Sequence, residues 1–313
     1  MEKEKTKCLS DKDYELLTYL FGMTENQLYN ALKAHLIRTY SKEKVFVNEN
    51  FLVAVGEVPI ALVAHLDTVF SHPAVNIYFD REKNVIWSPE GLGADDRAGV
   101  FAILKLLKFK PSVIFTKGEE IGGVGAASLA AHPCLIPDLK FMIEVDRQGK
   151  DEVVFYSTGN EKFQQFMVDL GFQKRKGTFS DISYLAPGWN ICAANVSIGY
   201  QDEHSIAETL HVDDMLNTIH KLGKLLSQEV IPDFTYIEDP RYYTSILTND
   251  ITRCQSCQKP SLDYEVLPVK LSGGQKAYYC VDCLAKVDWC PHCNEPFVPV
   301  DNSILCEDCK KSI

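Results

Sequence analysis

The sequence predicts an α/β fold, a mostly parallel mixed sheet flanked by helices, followed by a small cysteine-rich module at the C-terminus. In the first three quarters of the chain, short apolar runs alternate with segments whose apolar residues recur at helical spacing. Cysteine usage changes after that, because eight of the 11 cysteines lie between Cys254 and Cys309. We therefore expect one domain at residues 1–238, a linker at 239–250 and a second module at 251–313.

Each element of the first domain follows from its local pattern. Two helices with periodic apolar residues open the chain, and Thr24 is a suitable N-cap for the second. The run 59–64 is almost entirely apolar, as a strand covered on both faces must be. The predicted helices are 13–21, 25–38, 97–108, 122–131, 161–170 and 212–228, and the predicted strands are 44–47, 51–55, 59–64, 112–116, 140–145 and 191–198.

Composition excludes several classes of protein. With 46% hydrophobic and 24% charged residues among 313, the chain can bury a sizeable core, which excludes a disordered or collagen-like protein. The net charge of −11 offers no general attraction to nucleic acid or anionic lipid. No window reaches the roughly 18 apolar residues of a membrane span, and no apolar leader follows the charged N-terminus. We expect a soluble, cytoplasmic protein with no nucleic-acid or membrane partner.

Polar side chains follow the predicted strands at the points where the strands end. His65 and Asp67 come directly after 59–64, and the pair Glu119 and Glu120 follows 112–116. Sites in open α/β sheets form beyond the carboxyl ends of the strands, so these side chains are expected to meet. The other candidates at such positions are Asp95 and Asp96 at a helix start, Asp146 after 140–145, and His204 after 191–198.

Histidines and carboxylates in this order suit hydrolysis at two zinc ions bridged by a carboxylate and a water. Imidazole nitrogen and carboxylate oxygen are the donors of open zinc sites. Asp67 can hold the second ring nitrogen of His65 and so fix its tautomer. Of Glu119 and Glu120, one can bind metal while the other takes the proton from the water. Each fragment alone is common in turns and helix caps, and only the combination favours a metal centre.

The combined motifs resemble those of the co-catalytic dizinc exopeptidase superfamily, which includes peptidase T, glutamate carboxypeptidases, and glutamyl and leucyl aminopeptidases. The resemblance covers about residues 65–215, and its motifs here are AHLDTV, GADDRAG, GEEIG and GY followed by HS. It implies one zinc held by His65, Asp95 and Asp146, and another held by Asp95, Glu120 and His204.

The same resemblance implies further roles at this centre. Glu119 would be the general base that deprotonates the metal-bridging water, and Asp67 would support His65. A cis peptide would join Asp95 to Asp96. In similar enzymes the segment that holds Ser180, Asp181 and Tyr184 lines the substrate pocket, and Tyr200 precedes the last histidine. We therefore include all four as candidate substrate contacts.

The spacing of the ligands departs from larger members of that superfamily. Only 204 − 146 = 58 positions separate Asp146 from His204, which is too few for a lid domain. Between His65 and Asp95 there are 95 − 65 = 30 positions, too few for an inserted barrel. The expectation is a zinc-peptidase core without a lid, closest in build to single-domain leucyl aminopeptidases. Because family carboxypeptidases take substrate contacts from the lid, amino-terminal substrates are favoured.

Remaining histidines and single cysteines have ordinary interpretations. His211 competes with His204 as a ligand but lacks the preceding Gly-Tyr strand end, so His204 is preferred. The other histidines have no ligand-spaced companions, and surface or core packing is expected for them. The isolated cysteines are interpreted as small buried apolar residues with no assigned role. These residues are His35, His72, His132, His220, Cys8, Cys134 and Cys192.

Four Cys-x-x-Cys pairs in the tail predict two structural zinc sites of a tandem zinc ribbon. A segment this short with few large apolar side chains would struggle to fold without metal. Sequential pairing is simplest, and a cross-braced arrangement stays open. The near-neutral charge of the tail favours docking to a protein partner or self-association over binding of nucleic acid. The proposed ligands are Cys254, Cys257, Cys280, Cys283, Cys290, Cys293, Cys306 and Cys309.

Together these features predict a zinc-dependent metallopeptidase with two catalytic and two structural zinc ions. Its expected substrates are short peptides cleaved from the amino terminus. One alternative is an N-acyl or non-peptide amide hydrolase, deacylase- or carboxypeptidase-like, that uses the same metals. Another is a zinc-ribbon adaptor on an inactive enzyme scaffold, which the intact ligand candidates and Glu119 argue against.

Overall fold

A computed structural model describes residues 9–240, 242, 251–253, 260–262, 266–270, 276–280, 288–292, 296–297 and 307–310. The chain divides into two compact units, Met1–Asp239 and Pro240–Ile313. Among the described residues, no helix is both long enough and apolar enough to cross a membrane. The position of Cys8 lies outside the described part.

The first unit contains the predicted alternation of helices and strands. Its helices are α1 (Asp11–Phe21), α2 (Glu25–Tyr40), α3 (Ala94–Leu106), α4 (Val124–Ala130), α5 (Glu161–Asp169), α6 (Ile182–Trp189) and α7 (Val212–Leu226). Its strands are β1 (Val45–Val47), β2 (Phe51–Ala54), β3 (Val58–His65), β4 (Tyr78–Asp80), β5 (Val85–Trp87), β6 (Pro111–Thr116), β7 (Phe141–Arg147), β8 (Glu152–Val154), β9 (Gln173–Lys174), β10 (Cys192–Ser197), β11 (Tyr200–Gln201) and β12 (Thr209–His211).

Eight of these strands form one mixed sheet in the order β1-β2-β6-β3-β7-β10-β8-β9. The four central strands, β6, β3, β7 and β10, are parallel to one another. Antiparallel strands flank them, since β2 pairs with β6 and β8 pairs with β10. The four carboxyl ends of the central strands therefore meet at one edge of the sheet, as the predicted α/β class requires.

Helices cover both faces of the sheet. On one face α3 packs against β3 and β7, with α1 and α7 packed on α3. Phe141, Ile143 and Val145 of β7 belong to this core, so Glu144 and Asp146 point to the other face. There α4 and α6 pack together, and α6 lies on β7 and β10. Both faces of the central strands are buried, which explains their nearly continuous apolar sequences.

Helix starts follow their sequence signals at two places that matter for the site. Thr24 caps α2 as predicted, and with Gln27 it forms a reciprocal capping box. Gly93 precedes α3 in the left-handed region, with φ of 66°. That conformation turns the chain so that Asp95 and Asp96 stand at the start of the helix. Asp95 and Asp96 have non-helical backbone angles, so regular helical geometry begins at the predicted Arg97, although the element as a whole runs from Ala94.

Two regions differ from the sequence prediction. No helix is predicted from the sequence at 182–189, where the structure has α6; this element is only eight residues long and contains Pro187, which weakens a helical pattern. A second sheet, ordered β11-β12-β5-β4, was not predicted. Its strands are only two or three residues long, too short to leave a pattern in the sequence. Between Asp146 and His204, a segment that the structure describes throughout, every element is part of the first unit, so no lid domain lies there.

The second unit contains short antiparallel hairpins. Its described elements are β13 (Ile251–Arg253), β14 (Pro260–Leu262), β15 (Val266–Lys270), β16 (Lys276–Cys280), β17 (Asp288–Trp289), β18 (Pro296–Phe297) and α8 (Glu307–Lys310). β13 pairs with β14, β15 with β16, and β17 with β18. Two of the predicted Cys-x-x-Cys pairs fall between the paired strands of a hairpin, β13–β14 and β17–β18.

Two helical glycines of the first unit are expected to respond oppositely to alanine. A Cβ at Gly99 in α3 would lie 2.2 Å from the carbonyl oxygen of Val145. A Cβ at Gly223 in α7 would come no closer than 3.5 Å to Phe109. Gly99→Ala is therefore expected to destabilise by about 1–3 kcal/mol or more through overpacking. Gly223→Ala should stabilise by up to about 1 kcal/mol through helix propensity.

Urea denaturation of the two variants and the wild type measures both effects. A Gly99→Ala protein as stable as the wild type would show that α3 can move away from β7, contrary to the packing described here.

Candidate metal centre

Four elements bring the predicted ligands together at the carboxyl edge of the sheet. His65 is the last residue of β3, Asp146 lies near the end of β7, and Glu120 follows β6. Asp95 reaches the same point from the start of α3. Because β6, β3 and β7 are parallel neighbours, their ends converge without any long loop.

Asp95 stands between two groups of ligand atoms. Its Oδ1 lies 3.0 Å from His65 Nε2, which is itself 3.5 Å from Asp146 Oδ1. Its Oδ2 lies 3.2 Å from His204 Nε2, which is 3.0 Å from Glu120 Oε2. Each oxygen of Asp95 thus belongs to a separate set of one imidazole and two carboxylates. The carboxylate has the position that a bridging ligand between two metal ions requires.

Asp67 supports two parts of the centre at once. Its Oδ1 lies 3.5 Å from His65 Nδ1, the ring nitrogen that faces away from Asp95. Its carboxylate also accepts hydrogen bonds from the backbone N–H groups of Gly118, Glu119 and Glu120, at 2.9–3.2 Å. Burial opposes the charge, but the bonds from His65 and the backbone outweigh it and lower the pKa of Asp67 to about 2. Asp67 is therefore an anion that orients both His65 and the 118–120 turn.

Glu119 lies beside the ligands without a hydrogen bond from them among the described residues. Burial raises the pKa of Glu119 to about 9, and the nearby charges of Asp146, Asp181 and Asp95 add to that rise. The neighbouring carboxylate of Glu120 instead faces His204. The two adjacent glutamates therefore have separate surroundings, one at the ligand set and one free to exchange a proton.

Excess negative charge marks this site as one built for cations. Burial and the charge of Asp95 raise the pKa of Asp146 to about 7. Hydrogen bonds to Asp95 and Glu120 raise the pKa of His204 to about 11. Glu120 Oε1 is buried and accepts no hydrogen bond within the described residues. These side chains, with a cluster of His65, Asp95 and Glu120 ligand atoms within 4.8 Å of one another, have the nitrogen and oxygen donors that suit a zinc site.

The loop that carries Asp95 is held by a second buried carboxylate, Glu208. It accepts hydrogen bonds from the backbone N–H groups of Gly93, Ala94 and Asp95. The peptide between Asp95 and Asp96 is cis, as the family resemblance implies. The loop therefore has a defined backbone path from Gly93 to the first turn of α3.

Candidate substrate residues occupy different environments. Ser180 and Asp181 are fully buried, and their side chains bond to Glu144 and Thr116 respectively. Tyr200 is buried too, and its hydroxyl donates to Asp146 Oδ1 at 3.1 Å. Tyr184 alone among the four predicted contacts is exposed, at 36%. It forms an edge-to-face pair with Phe179, 5.7 Å between ring centroids.

The structure places His204, and not His211, at the ligand set. His211 ends β12 and is the N-cap residue of α7, and its backbone N–H donates to Gly199 O at 2.9 Å. His35, His72 and His132 are not part of the cluster of ligand atoms found among the described residues. Cys192 is buried, consistent with a packing role.

Sequence reasoning missed three buried polar residues around the centre, Glu144, Asn195 and Glu208. Asn195 accepts from the backbone N–H of Asp146 and donates to its carbonyl oxygen, at 3.0 and 2.8 Å. Burial strongly raises the pKa of Glu144, which lies two residues before Asp146 on the same face of β7. A polar residue inside an apolar strand is the signal that could have identified Glu144 and Asn195. Glu208, in a polar turn, offers no comparable signal.

Only part of the predicted tail sites falls within the described residues. Cys280 ends β16, and Cys290 and Cys309 are buried. Cys309 Sγ lies 3.5 Å from His292 Nδ1. Five predicted ligands lie outside the described residues: Cys254, Cys257, Cys283, Cys293 and Cys306.

No protein-family model and no curated protein sequence matches the chain. Solved structures do match. A TET aminopeptidase from the marine sediment archaeon Thaumarchaeota archaeon SCGC AB-539-E09 superimposes with a TM-score of 0.54 at 13% identity, covering 70% of this chain and 98% of that one. Aminopeptidase PepT from Bacillus cereus superimposes with a TM-score of 0.52 at 14% identity, covering 68% of this chain and 96% of that one. A tripeptidase from Staphylococcus aureus superimposes with a TM-score of 0.51 at 16% identity, covering 69% of this chain and 98% of that one.

At these identities the likeness concerns the fold. Nearly the whole length of each of the three structures is covered, so the match is to the complete architecture and not to a fragment of it. The chain therefore shares the fold of these exopeptidases.

Proposed function

We propose that this protein is a dizinc metallohydrolase that cleaves the amide bonds of short peptides, as an aminopeptidase. The observation that carries the proposal is Asp95, whose two oxygens face two separate sets of ligand atoms. A structural zinc site would be closed by four protein ligands. Here each set has three, and a fourth position stays available to substrate or water.

In the proposed centre one zinc is held by His65, Asp95 and Asp146, and the other by Asp95, Glu120 and His204. When bound, the two ions would polarise the scissile carbonyl and lower the pKa of the attacking water. Asp67 holds His65 Nδ1 and so keeps Nε2 directed at the centre. Tyr200 holds Asp146 in the same way through its hydroxyl.

Glu119 is the proposed general base. A carboxyl group in its position can take a proton from the attacking water and then deliver it to the leaving amine. Its raised pKa describes the protein without cations, where several buried carboxylates repel one another. Two divalent cations would lower that pKa into the range that suits a base near neutral pH.

The surroundings of the centre support amino-terminal substrates. Phe179 and Tyr184 lie over Gly123, on the turn that carries Glu119, and Ile121 of this turn is 79% exposed. These apolar groups form an open wall beside the centre, accessible to a short peptide. Between Asp146 and His204 the chain forms only elements of the first unit, so lid contacts of the carboxypeptidase kind have no counterpart in that segment.

For the tail we propose two structural zinc ions bound by the four Cys-x-x-Cys pairs. Support comes from chain position, since two of the pairs fall in the sequence between the strands of the hairpins β13–β14 and β17–β18. The tail would dock a protein partner or a second copy of the chain, since it lacks the positive charge of a nucleic-acid module.

Separate replacement of each of the two adjacent glutamates is expected to distinguish the general base from the metal ligand. Glu119→Gln should reduce turnover of unblocked di- and tripeptides by about 10²–10⁴-fold while both catalytic zinc ions remain bound. Glu120→Gln should instead lower zinc content, because it replaces a ligand carboxylate with an amide. Turnover and elemental analysis of both variants provide the measurement.

Four outcomes would contradict parts of this assignment. Full activity in Glu119→Gln would remove Glu119 as the base. Zinc loss in Glu119→Gln but not in Glu120→Gln would show that Glu119 is the metal ligand and Glu120 the base. Wild-type hydrolysis of N-acetylated or carboxy-terminal substrates in preference to free amino termini would favour the deacylase or carboxypeptidase alternative, and no hydrolysis of any of them would favour the adaptor.

Stability of the metal-free protein is expected to fall as pH rises. Burial raises the pKa of Glu119 to about 9 and of Asp146 to about 7. Between the ordinary carboxyl pKa and these values, the folded state binds more protons than the unfolded chain, so raising the pH favours unfolding. His204, whose pKa is raised to about 11, acts in the same direction above its ordinary value of 6.5.

Urea midpoints at about pH 6 and about pH 8.5, with chelator and with zinc, test this dependence. The midpoint should drop with pH in chelator, whereas zinc should stabilise more at the higher pH, because its ligands must be deprotonated. A chelated protein that gains stability between these pH values would contradict the proposed charge balance.

Zinc stoichiometry tests the division between the two kinds of site. The full chain should bind about four zinc ions, and a chain ending at Asp239 about two. Truncation there keeps the contacts of Asp239 N–H with Ser157 O and of Glu238 with Thr158. Equal zinc content in the two proteins would refute the structural sites of the tail.

A further inference from the structure

We propose that Glu208 is a positioning residue that ties the backbone of Asp95 to the turn of His204, and so sets the geometry of both metal sites. The proposal rests on the proposed function only in that Asp95 bridges two cations. It adds a residue that carries no ligand atom and touches no substrate.

The contacts of Glu208 account for its whole carboxylate. Oε1 accepts from the N–H of Asp95 at 3.0 Å, and Oε2 accepts from the N–H groups of Ala94, at 3.2 Å, and Gly93. The side chain is 1% exposed, so water cannot replace these bonds. Bonds from N–H donors to a carboxylate are stronger than neutral ones, and each donor lost would leave a buried N–H unsatisfied.

The backbone of Glu208 is anchored from the other side. Its N–H donates to Ser205 O at 3.1 Å within the turn that follows His204. The next residue, Thr209, begins β12 and pairs with Trp87 of β5. The small antiparallel sheet therefore fixes the position of the Glu208 backbone. The hydrogen bonds of the Glu208 carboxylate then fix the distance from this backbone to that of Asp95.

One side chain thus connects the two chain segments that supply Asp95 and His204. The two ligands meet at 3.2 Å, between Asp95 Oδ2 and His204 Nε2. Because the other oxygen of Asp95 faces His65, a shift of the 93–95 backbone would move a donor of both metal sites. A local change at Glu208 is therefore expected to weaken the centre as a whole.

Asp67 provides an internal comparison for this role. Its carboxylate also accepts hydrogen bonds from three successive backbone N–H groups, those of 118–120, on the opposite ligand-bearing turn. Asp67 additionally faces the ring of His65, so its replacement would mix two effects. Within the described part of the chain Glu208 bonds only to backbone N–H groups, which makes it the cleaner test of backbone positioning.

The test compares Glu208→Gln with Glu90→Gln. Glu90 Oε2 also accepts from two backbone N–H groups, of Val75 and Asn76 at 3.3 and 3.1 Å, but it lies in an exposed loop. Cobalt(II) is the probe: its affinity is measured by titration against a chelator, and its visible absorption reports coordination geometry. Glu208→Gln should lose about 10- to 100-fold in cobalt affinity and show an altered spectrum.

Kinetics on a short peptide should show a lower kcat for Glu208→Gln with a KM close to that of the wild type. Glu90→Gln should match the wild type in every measurement. If Glu208→Gln does not accumulate as folded protein, Glu208→Asp serves instead, because its shorter reach breaks the same bonds and should give the same loss.

Folded Glu208→Gln or Glu208→Asp that binds cobalt with wild-type affinity and spectrum would overturn the inference. That result is distinguishable from failure of the proposed function. A wild type that binds two cobalt ions in addition to the metal of its cysteine-rich tail, but hydrolyses no peptide, would reject the activity and leave the role of Glu208 to be decided by affinity. A wild type that binds no cobalt would reject both.

Discussion

The sharing of one carboxylate between two imidazoles is the constraint on which the rest of the site depends. Asp95 Oδ1 and Oδ2 lie 3.0 and 3.2 Å from the Nε2 atoms of His65 and His204. The histidines come from the end of a central strand and from a distant turn, 139 positions apart by 204 − 65. Every element that carries a ligand must therefore be placed relative to the first turn of α3.

Placing α3 in turn requires close contact between helix and sheet. Gly99 lets the helix approach the carbonyl of Val145 on β7, the strand that also carries Asp146. A side chain at this position would push the helix start, and Asp95 with it, away from the strand ends. Packing of the core and geometry of the site are in this respect one property of the fold.

A cluster of buried carboxylates opposes folding unless its charges are balanced. Backbone N–H groups offset the charge of the outer members, since Asp67 and Glu208 each accept three N–H bonds; they outweigh burial at Asp67, whereas burial still raises the pKa of Glu208 to about 7. The inner members have no such donors, and burial raises the pKa of Asp146 and Glu119. The inner group therefore favours cations, while the outer pair keeps the ligand-bearing turns in place.

The sequence by itself determined the α/β class and the strand-end positions of His65 and Asp146, because burial on both faces and polar residues after a strand leave a local pattern. Only the tertiary structure decided that Asp95 faces two sites, that Ser180 and Asp181 are buried, and that Glu208 holds the Asp95 backbone. These relations join residues far apart in the chain, through side-chain direction and backbone N–H groups that no local pattern records.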